Sequence, residues 1–499
     1  MADKIQTQGI TIKKEENFSE WYEQVTMKCG LVDKRLEYSR GFYGYPPWGT
    51  MILRSMETLF EKELELRSHL PIRTPTAMPI ALLEKEQEHL SGFAPEIWKI
   101  THGHGGKKLE YPKALRPTGE AVMYPYFHYW IENYKDLPFK VFETRPSFRA
   151  ERENAIFPLL RTCEFFWIEA HTVQLDNKHA DKQVKEDMEV FDLIAKGKLA
   201  MPFMLLKRPE WDKFSGADYT CAYDTPLPDG KVSQIGTTHN LGTHFSRAFD
   251  VRYTDNNNEQ KFCYQTSFGP GVGKILGMLA AVHGDDNGLI LPPDLAPIQF
   301  VIVPIYKEDS KEKVTAFAKK AANKLKSFRL KFDDREGYTP GWKFNEWEMK
   351  GVPFRVEIGP KDVEKNQVIL VSRLDRKKTV VEIKDITDTV LQGMLSELTK
   401  EMYSKAEKKF KIDKTDNYKD IIKKIDAGTH LVEIPFCNTE KCSEKLKEKT
   451  IKVRGIQLFA HGEKTVVECE QKSAEKAKGK KCAVCGKEAK VMSFVARQY

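Results

Sequence analysis

Between residues 51 and 66 the apolar positions Ile52, Leu53, Met56, Leu59, Phe60 and Leu64 recur at intervals of three and four. This spacing predicts an amphipathic helix, set off by Pro46 and Pro47 before it and by Pro71 and Pro75 beyond. From 139 to 171 the pattern changes to short strand-like runs, 140–142 and 164–168, around a loop that holds Asn154, Ala155 and Pro158. That is the pattern of an antiparallel pair joined by a long loop. Helical period returns over 182–198 through Val184, Met188, Phe191 and Ile194, ending near Gly197. Leu291-Pro292-Pro293-Asp294 marks a boundary. Beyond it, 299–305 reads as a buried strand, 311–326 as a helix with Val314, Phe317, Ala321 and Leu325, and 354–358 and 368–371 as strands. Strand and helix in this order predict a compact α/β module of ~110 residues.

The chain has 499 residues, which at ~100 to 200 residues per domain suggests about three domains. With 40% apolar and 11% aromatic residues, it has enough core material to exclude a disordered chain. Residues 1–21 lack an apolar signal core, and the longest apolar stretch, 298–306, is broken by Gln299 and Pro304. A membrane span needs ~18 apolar residues, so the expectation is a cytoplasmic protein with no signal peptide and no membrane helix. Four of the nine cysteines, Cys437, Cys442, Cys482 and Cys485, cluster late in the chain. That suggests a metal site in a reducing compartment rather than a disulfide framework. The net charge of +8 lies entirely in residues 401–499, with 23 Lys/Arg against 15 Asp/Glu. A basic end fits contact with phosphate backbones or a lysine-rich solvated surface, and charge alone leaves both open.

Arg149 with Glu151, and Arg161 with Thr162, flank the strand-loop-strand. Planar guanidinium forks there suit a nucleotide triphosphate gripped from two sides, although Arg-Glu pairs also serve purely structural ends. Upstream stands Arg116-Pro117-Thr118-Gly119-Glu120. Downstream stand Trp167, Glu169, His171 and the run from Gln234 through Thr237 and His239 to Gly242. Further on come 340–348, Pro-Gly-Trp-Lys-Phe-Asn-Glu-Trp-Glu, and Gly359-Pro360-Lys361-Asp362. With these motifs in this order the sequence resembles the class II aminoacyl-tRNA synthetases, specifically prolyl-tRNA synthetases of the archaeal and eukaryotic cytosolic type, over essentially its whole length.

The resemblance implies an α+β protein. Its parts would be a class II catalytic domain on an antiparallel sheet at 1–293, an α/β anticodon-binding domain at 294–402 and a small α/β zinc-binding domain at 403–499. Pro75 matches the motif 1 proline, which implies a homodimer; residues 148–167 match motif 2, and the stretch before His283-Gly284-Asp285-Asp286 matches motif 3. Too few residues lie between His171 and Ser267 for an inserted editing domain. The implied reaction joins L-proline to tRNA(Pro): the proline carboxylate attacks the α-phosphorus of ATP, brought with Mg²⁺, and the prolyl group then passes to the terminal ribose of the tRNA. By motif match Arg149, Glu151 and Arg161 are catalytic. ATP is held by these three with Thr162, Gln234, Thr237 and Lys274. Proline is held by Thr118, Glu120, Arg149, Trp167, Glu169, His171 and His239, and anticodon bases are read by Glu348, Arg355, Lys361 and Asp362. Tyr499 matches a terminal tyrosine whose carboxylate approaches the active site.

The cysteine pattern, C-x4-C and then C-x2-C, suits structural Zn²⁺ held by four thiolates, with Cys469 and His461 nearby. Two departures from the family pattern stand out. Cys163 follows Arg161-Thr162 where many relatives carry arginine, and the motif 3 run Ser267-Phe268-Gly269-Pro270-Gly271-Val272-Gly273-Lys274 offers only a lysine for the γ-phosphate, on glycine-rich chain read as a pliable loop. Phe268 stands where a phosphate-binding P-loop needs glycine. Two other readings share these motifs: a catalytically weakened tRNA-binding paralogue, and a class II synthetase for another amino acid.

Overall fold

The structure is a computed structural model that describes residues 9–36, 40–85, 97–462 and 465–499. The antiparallel pair around the loop at 149–163 forms its centre. Phe139–Phe148 pairs with Glu164–Gln174 from Phe139↔Val173 to Phe148↔Glu164. Both strands outrun the apolar runs that predicted them, because Glu143, Glu169, His171 and Thr172 are buried polar residues that interrupt the hydrophobic pattern. Tyr264–Pro270 then pairs antiparallel with Glu164–Gln174 on one side and Val232–Gly242 on the other. Tyr219–Pro226 and Met204–Lys207 extend the sheet.

Helices cover one side of this sheet. The helix expected at 51–66 runs Pro47–Glu65, with proline in its first turn where no backbone donor is needed. Its buried stripe, Ile52, Met56 and Phe60, shares a core with Phe191, Tyr223, Phe268 and Ile275. Phe191 stacks on Tyr223 at 3.7 Å, and each such buried side chain contributes roughly 1.5–3 kcal/mol. The helix expected at 182–198 begins earlier, as Asn177–Asp192, because Asp176 caps it through the His179 N–H at 2.9 Å. It finishes as a π-helical turn, Leu193–Lys198.

The sheet does not stop at Met204–Lys207. Lys452–Gln457 adds to it through Ile456↔Lys207 and Gln457↔Leu206. Val491–Ala496, Leu431–Phe436 and Ile412–Lys414 follow, and with Leu70–Pro71, parallel to Phe139–Phe148 at the far edge, the sheet has eleven strands among the described residues. Glycine is required at this seam: Gly455 has φ +116°, and a Cβ there would lie 1.8 Å from the Lys207 carbonyl oxygen. The last hundred residues are thus joined to the central sheet by backbone pairing.

The α/β module holds a separate five-stranded sheet. Phe300–Pro304 pairs in parallel with Leu330–Phe332 and Phe354–Ile358, and Gln367–Ser372 and Lys378–Glu382 continue it antiparallel. The helices Lys311–Lys324 and Asp388–Lys409 bury Val314, Phe317, Leu391 and Leu395 in its core. The second helix runs across residue 402, where the sequence suggested a division. Among the described residues no helix is long and apolar enough to cross a membrane.

Candidate functional site

A cavity of about 540 Å³ lies over the middle of the large sheet. Strand alternation builds its floor: Phe165, Trp167 and Glu169 project from one strand, Thr237 and His239 from another, and Ser267 and Gly269 from the strand between. Gly269 leaves room for the indole, since a Cβ there would stand 3.2 Å from Trp167. Trp167 is anchored by its Nε1–H donating to Ser147 Oγ at 2.9 Å.

One end of the cavity is acidic. Glu169 accepts from Arg116 at 2.6 Å, from the Gly119 N–H at 2.7 Å and from the Thr118 hydroxyl at 3.3 Å. The Thr118 hydroxyl also lies on Glu120, whose other oxygen accepts from Ser267 at 3.3 Å. Beneath them Glu143 accepts from Arg116 at 2.9 Å and stands 3.4 Å from Arg145. Glu120, Glu143 and Glu169 gather at this end, and buried carboxylates on a cavity wall suit a cation.

The other end is cationic, lined by Arg149, Arg161, Lys274, Lys452 and Arg454. Arg161 donates to Glu151 at 2.7 Å, and the Arg149 guanidinium lies 5.0 Å from the Phe165 ring centre. The Thr162 hydroxyl is turned to the Glu164 carbonyl at 2.6 Å. Lys274 is not on a pliable loop. Gly271 is the N-cap of the helix Val272–His283, so Lys274 sits in the first helical turn, aimed with the helix N-terminus at the cavity. Burial, helped by Arg161 and Arg149, pushes its pKa down to about 8.

The sequence-derived proline and ATP residues therefore line one cavity, with one exception. His171 lies behind Glu169 and is absent from the cavity wall: its Nδ1 meets the Tyr124 hydroxyl at 2.8 Å, and its Nε2 stands 3.9 Å from Glu169. The alternation along Glu164–Gln174 carries 165, 167 and 169 to the wall, but the cavity ends before 171. His239 is held between Thr220 at 2.8 Å and Thr237 at 2.9 Å, with its ring 4.7 Å from Phe214. Arg116 was visible beside the Thr118-Gly119-Glu120 run without being read as a site residue. Ser267 stands in the motif 3 run without an assigned role, and Arg208, Asp224 and Arg454 carry no local motif. Cys163 is buried against Gly41, where an added Cβ would lie 2.5 Å from its sulfur.

In the α/β module, Arg355 donates to Glu357 at 2.8 Å and to Glu348 at 3.1 Å, with its guanidinium 4.1 Å from the Phe344 ring centre. Asp362 caps its own helix through the Gly359 N–H at 2.9 Å, whereas Lys361 is exposed. The sulfurs of Cys437, Cys442, Cys482 and Cys485 all lie within 4.8 Å of one another, with Cys437 and Cys485 3.9 Å apart. Tetrahedral zinc with Zn–S of ~2.3 Å implies sulfur separations of about 3.8 Å, so the quartet fits such an ion. His461 instead meets Asp192 at 2.9 Å, and Cys469 lies outside the quartet.

Comparison with known proteins places these features in a family. The tRNA synthetase class II core domain (G, H, P, S and T) matches residues 106–283, an anticodon binding domain matches 299–393, and a prolyl-tRNA synthetase C-terminal domain matches 418–499. The chain is 40% identical to a proline–tRNA ligase of Thermofilum pendens over 99% of both chains, and 36% identical to one of Pyrococcus abyssi over 97% of this chain and 98% of the relative. A prolyl-tRNA synthetase from Cryptosporidium parvum, complexed with halofuginone and AMPPNP, superposes with a TM-score of 0.89 at 31% identity, covering 99% of this chain and all of that one. The same enzyme complexed with L-proline and AMP gives 0.86 at 30% identity over the same spans.

Proposed function

This chain belongs to the proline–tRNA ligases, class II aminoacyl-tRNA synthetases, and from that premise we propose that the acidic end of its cavity takes the proline ammonium and the cationic end takes ATP. The enzyme attaches L-proline to tRNA(Pro) at the expense of ATP, by prolyl-adenylate formation and then transfer to the 3′-terminal ribose. The observation that carries the site assignment is the opposed charge at the two ends of one cavity.

The nucleophile is already ionised, so no side chain has to create it. Catalysis is alignment plus stabilisation of charge on phosphorus. Glu120, with Glu169 held behind it by Arg116, accepts from the secondary ammonium. Trp167 and the His239–Phe214 pair supply flat surface for the proline ring. Arg149 lies where the proline carboxylate and the α-phosphate meet, and there its two-pronged donors neutralise the charge that grows as the C–O–P bond forms and pyrophosphate leaves. ATP enters as its Mg²⁺ complex. Arg161, Thr162, Thr237 and Lys274 face the base and outer phosphates, with Glu151 fixed by Arg161.

Anticodon bases would meet Glu348, Arg355, Lys361 and Asp362, since unpaired bases expose edges that such groups read. Zn²⁺ held by Cys437, Cys442, Cys482 and Cys485 would fix the C-terminal fold. The family relationship and the Pro75 match support a homodimer, and a cysteine quartet whose geometry suits a metal rather than disulfides supports a cytoplasmic setting. Proline-dependent exchange of pyrophosphate into ATP tests the reading. Exchange that depends on proline is the expected result; no exchange from a folded protein that still binds tRNA would make it a tRNA-binding paralogue.

A further inference from the structure

Arg454 lies in the strand Lys452–Gln457, far in sequence from every motif of the catalytic core, yet its side chain is fully buried at the wall of the cavity. Its Nε and Nη2 donate to the two oxygens of Asp224 at 2.7 and 2.8 Å. Arg208 donates to the same carboxylate at 2.6 and 3.2 Å, and through Nη1 to the Arg454 carbonyl at 2.7 Å. Nη2, which makes the shorter bond to Asp224, also donates to Gln234 Oε1 at 2.8 Å. Asp224 between two guanidiniums has its carboxyl driven far below the ordinary range, despite complete burial. Two guanidiniums on one carboxylate favour its ionised form.

The chemistry of this chain settles the orientation of Gln234. Guanidinium is donor only, so the Gln234 amide must turn its oxygen to Arg208. Its NH₂ is then left as a donor at the wall that Gln234 lines, and a donor there suits an anionic oxygen.

We propose that Arg454, acting through Asp224 and Arg208, is a positioning residue that sets the Gln234 amide as a hydrogen-bond donor to ATP, and so makes the C-terminal domain part of the ATP site. The inference rests on the placement of ATP at the cationic end. The geometry also accounts for the seam at Gly455, the residue that follows Arg454: close backbone pairing to Lys207, the neighbour of Arg208, holds the two arginines in register across Asp224. Arg454 Nη1 further donates to Gln498 at 2.8 Å, and Tyr499 N–H to the Val232 carbonyl at 3.0 Å, so the same group ties down the chain beside the cavity.

The test is ATP–pyrophosphate exchange by the full-length zinc-loaded protein, with ATP and proline varied separately. Gln234→Glu keeps size and keeps an acceptor for Arg208, but replaces the donor with an anion. It should raise the ATP KM by about tenfold or more, the loss of one charge-assisted bond, and leave the proline KM within about twofold. Arg454→Met should shift the ATP KM in the same direction, and Arg454→Lys, which keeps one bond to Asp224, should recover part of the loss. An unchanged or lowered ATP KM in Gln234→Glu would show that the amide works as an acceptor and would overturn the proposal. So would a folded Arg454→Met enzyme with normal ATP KM, or one whose ATP and proline constants worsen equally. Should Arg454→Met fail to fold, Gln234→Glu still decides. Absence of exchange in the unsubstituted protein strikes the ATP reading itself; normal exchange with unaffected variants strikes only the positioning role.

Discussion

Arg116 donates to Glu169 at 2.6 Å with both side chains removed from solvent, and its other arm holds Glu143 at 2.9 Å. One guanidinium thus fixes two buried carboxylates, and one of them faces the proposed proline pocket. Arg116→Met would strand both carboxylates without their cation. Breaking a buried pair in this way costs about 3–5 kcal/mol. Denaturant unfolding should show that loss, with a proline KM that rises along with it in any folded fraction. A variant as stable as the unsubstituted protein would mean that Arg145 and the Thr74 hydroxyl, 2.7 Å from Glu143, suffice for Glu143, and the Gly119 N–H and Thr118 for Glu169.

Glu120→Gln should weaken proline use far more than ATP use. The substitution preserves the contacts from Thr118 and Ser267 in shape, but it removes the charge that faces the ammonium. A charge-assisted hydrogen bond is worth roughly 1.5–3 kcal/mol, so kcat/KM for proline should fall by about tenfold to a hundredfold. Steady-state exchange kinetics check it, and a change within about twofold would remove Glu120 from amine recognition.

Lys274 carries its charge below a pKa of about 8 and loses it as pH rises. Because this value is depressed from the ordinary lysine range, the protonated form that can meet phosphate dominates only below about pH 8. kcat/KM for ATP should therefore fall between pH 7 and 9. Lys274→Met should lower it at pH 7 and flatten this limb, whereas Lys274→Arg should keep activity and move the fall above pH 9. A limb that survives in Lys274→Met belongs to another group.

The central hairpin, the module after Pro293 and the cysteine quartet were legible because each has a local signature: strand runs about a turn-rich loop, alternating strands and helices, paired C-x-C spacings. The motif match supplied Glu120, Arg149 and Glu169, and the pleat explains why 165, 167 and 169 share one wall. The same pattern misplaces His171, since alternation states which face a residue takes but not where the cavity ends. Asp224, Arg208 and Arg454 were illegible for a different reason. Arg208 and Asp224 meet across two adjacent strands, but Arg454 reaches them only because Lys452–Gln457 joins the edge of the catalytic sheet, a pairing across more than two hundred residues that no local pattern announces. The glycines near Lys274 misled in turn: read as loop, they form a strand end, a helix cap and a helical turn.

The cysteine quartet should hold about one Zn²⁺ per chain, by elemental analysis of protein purified without chelators. Cys442→Ser should lose the metal and lower the thermal midpoint, because its strands and helix share a core with Ile434, Phe436 and Val495. Metal-free protein with all four thiols freely alkylated in the folded state would end this assignment.

The anticodon assignment separates two kinds of side chain. Lys361 is exposed, so Lys361→Ala should leave stability and ATP–pyrophosphate exchange intact while it lowers kcat/KM for tRNA charging. Arg355 already satisfies Glu348 and Glu357 inside the module, and its loss leaves Glu357 buried with only Lys378, at 3.0 Å, as a partner. Arg355→Ala should then reduce charging and also destabilise the module, by about 1–3 kcal/mol for the unmet carboxylate. Asp362→Ala removes the cap of its own helix, so a charging defect there does not by itself show base contact. Asp362→Asn keeps an acceptor for the Gly359 N–H and removes only the charge. If charging falls in Lys361→Ala and Asp362→Asn while exchange stays normal, this face reads tRNA; if charging is untouched in both, the residues serve the fold and the bases are read elsewhere.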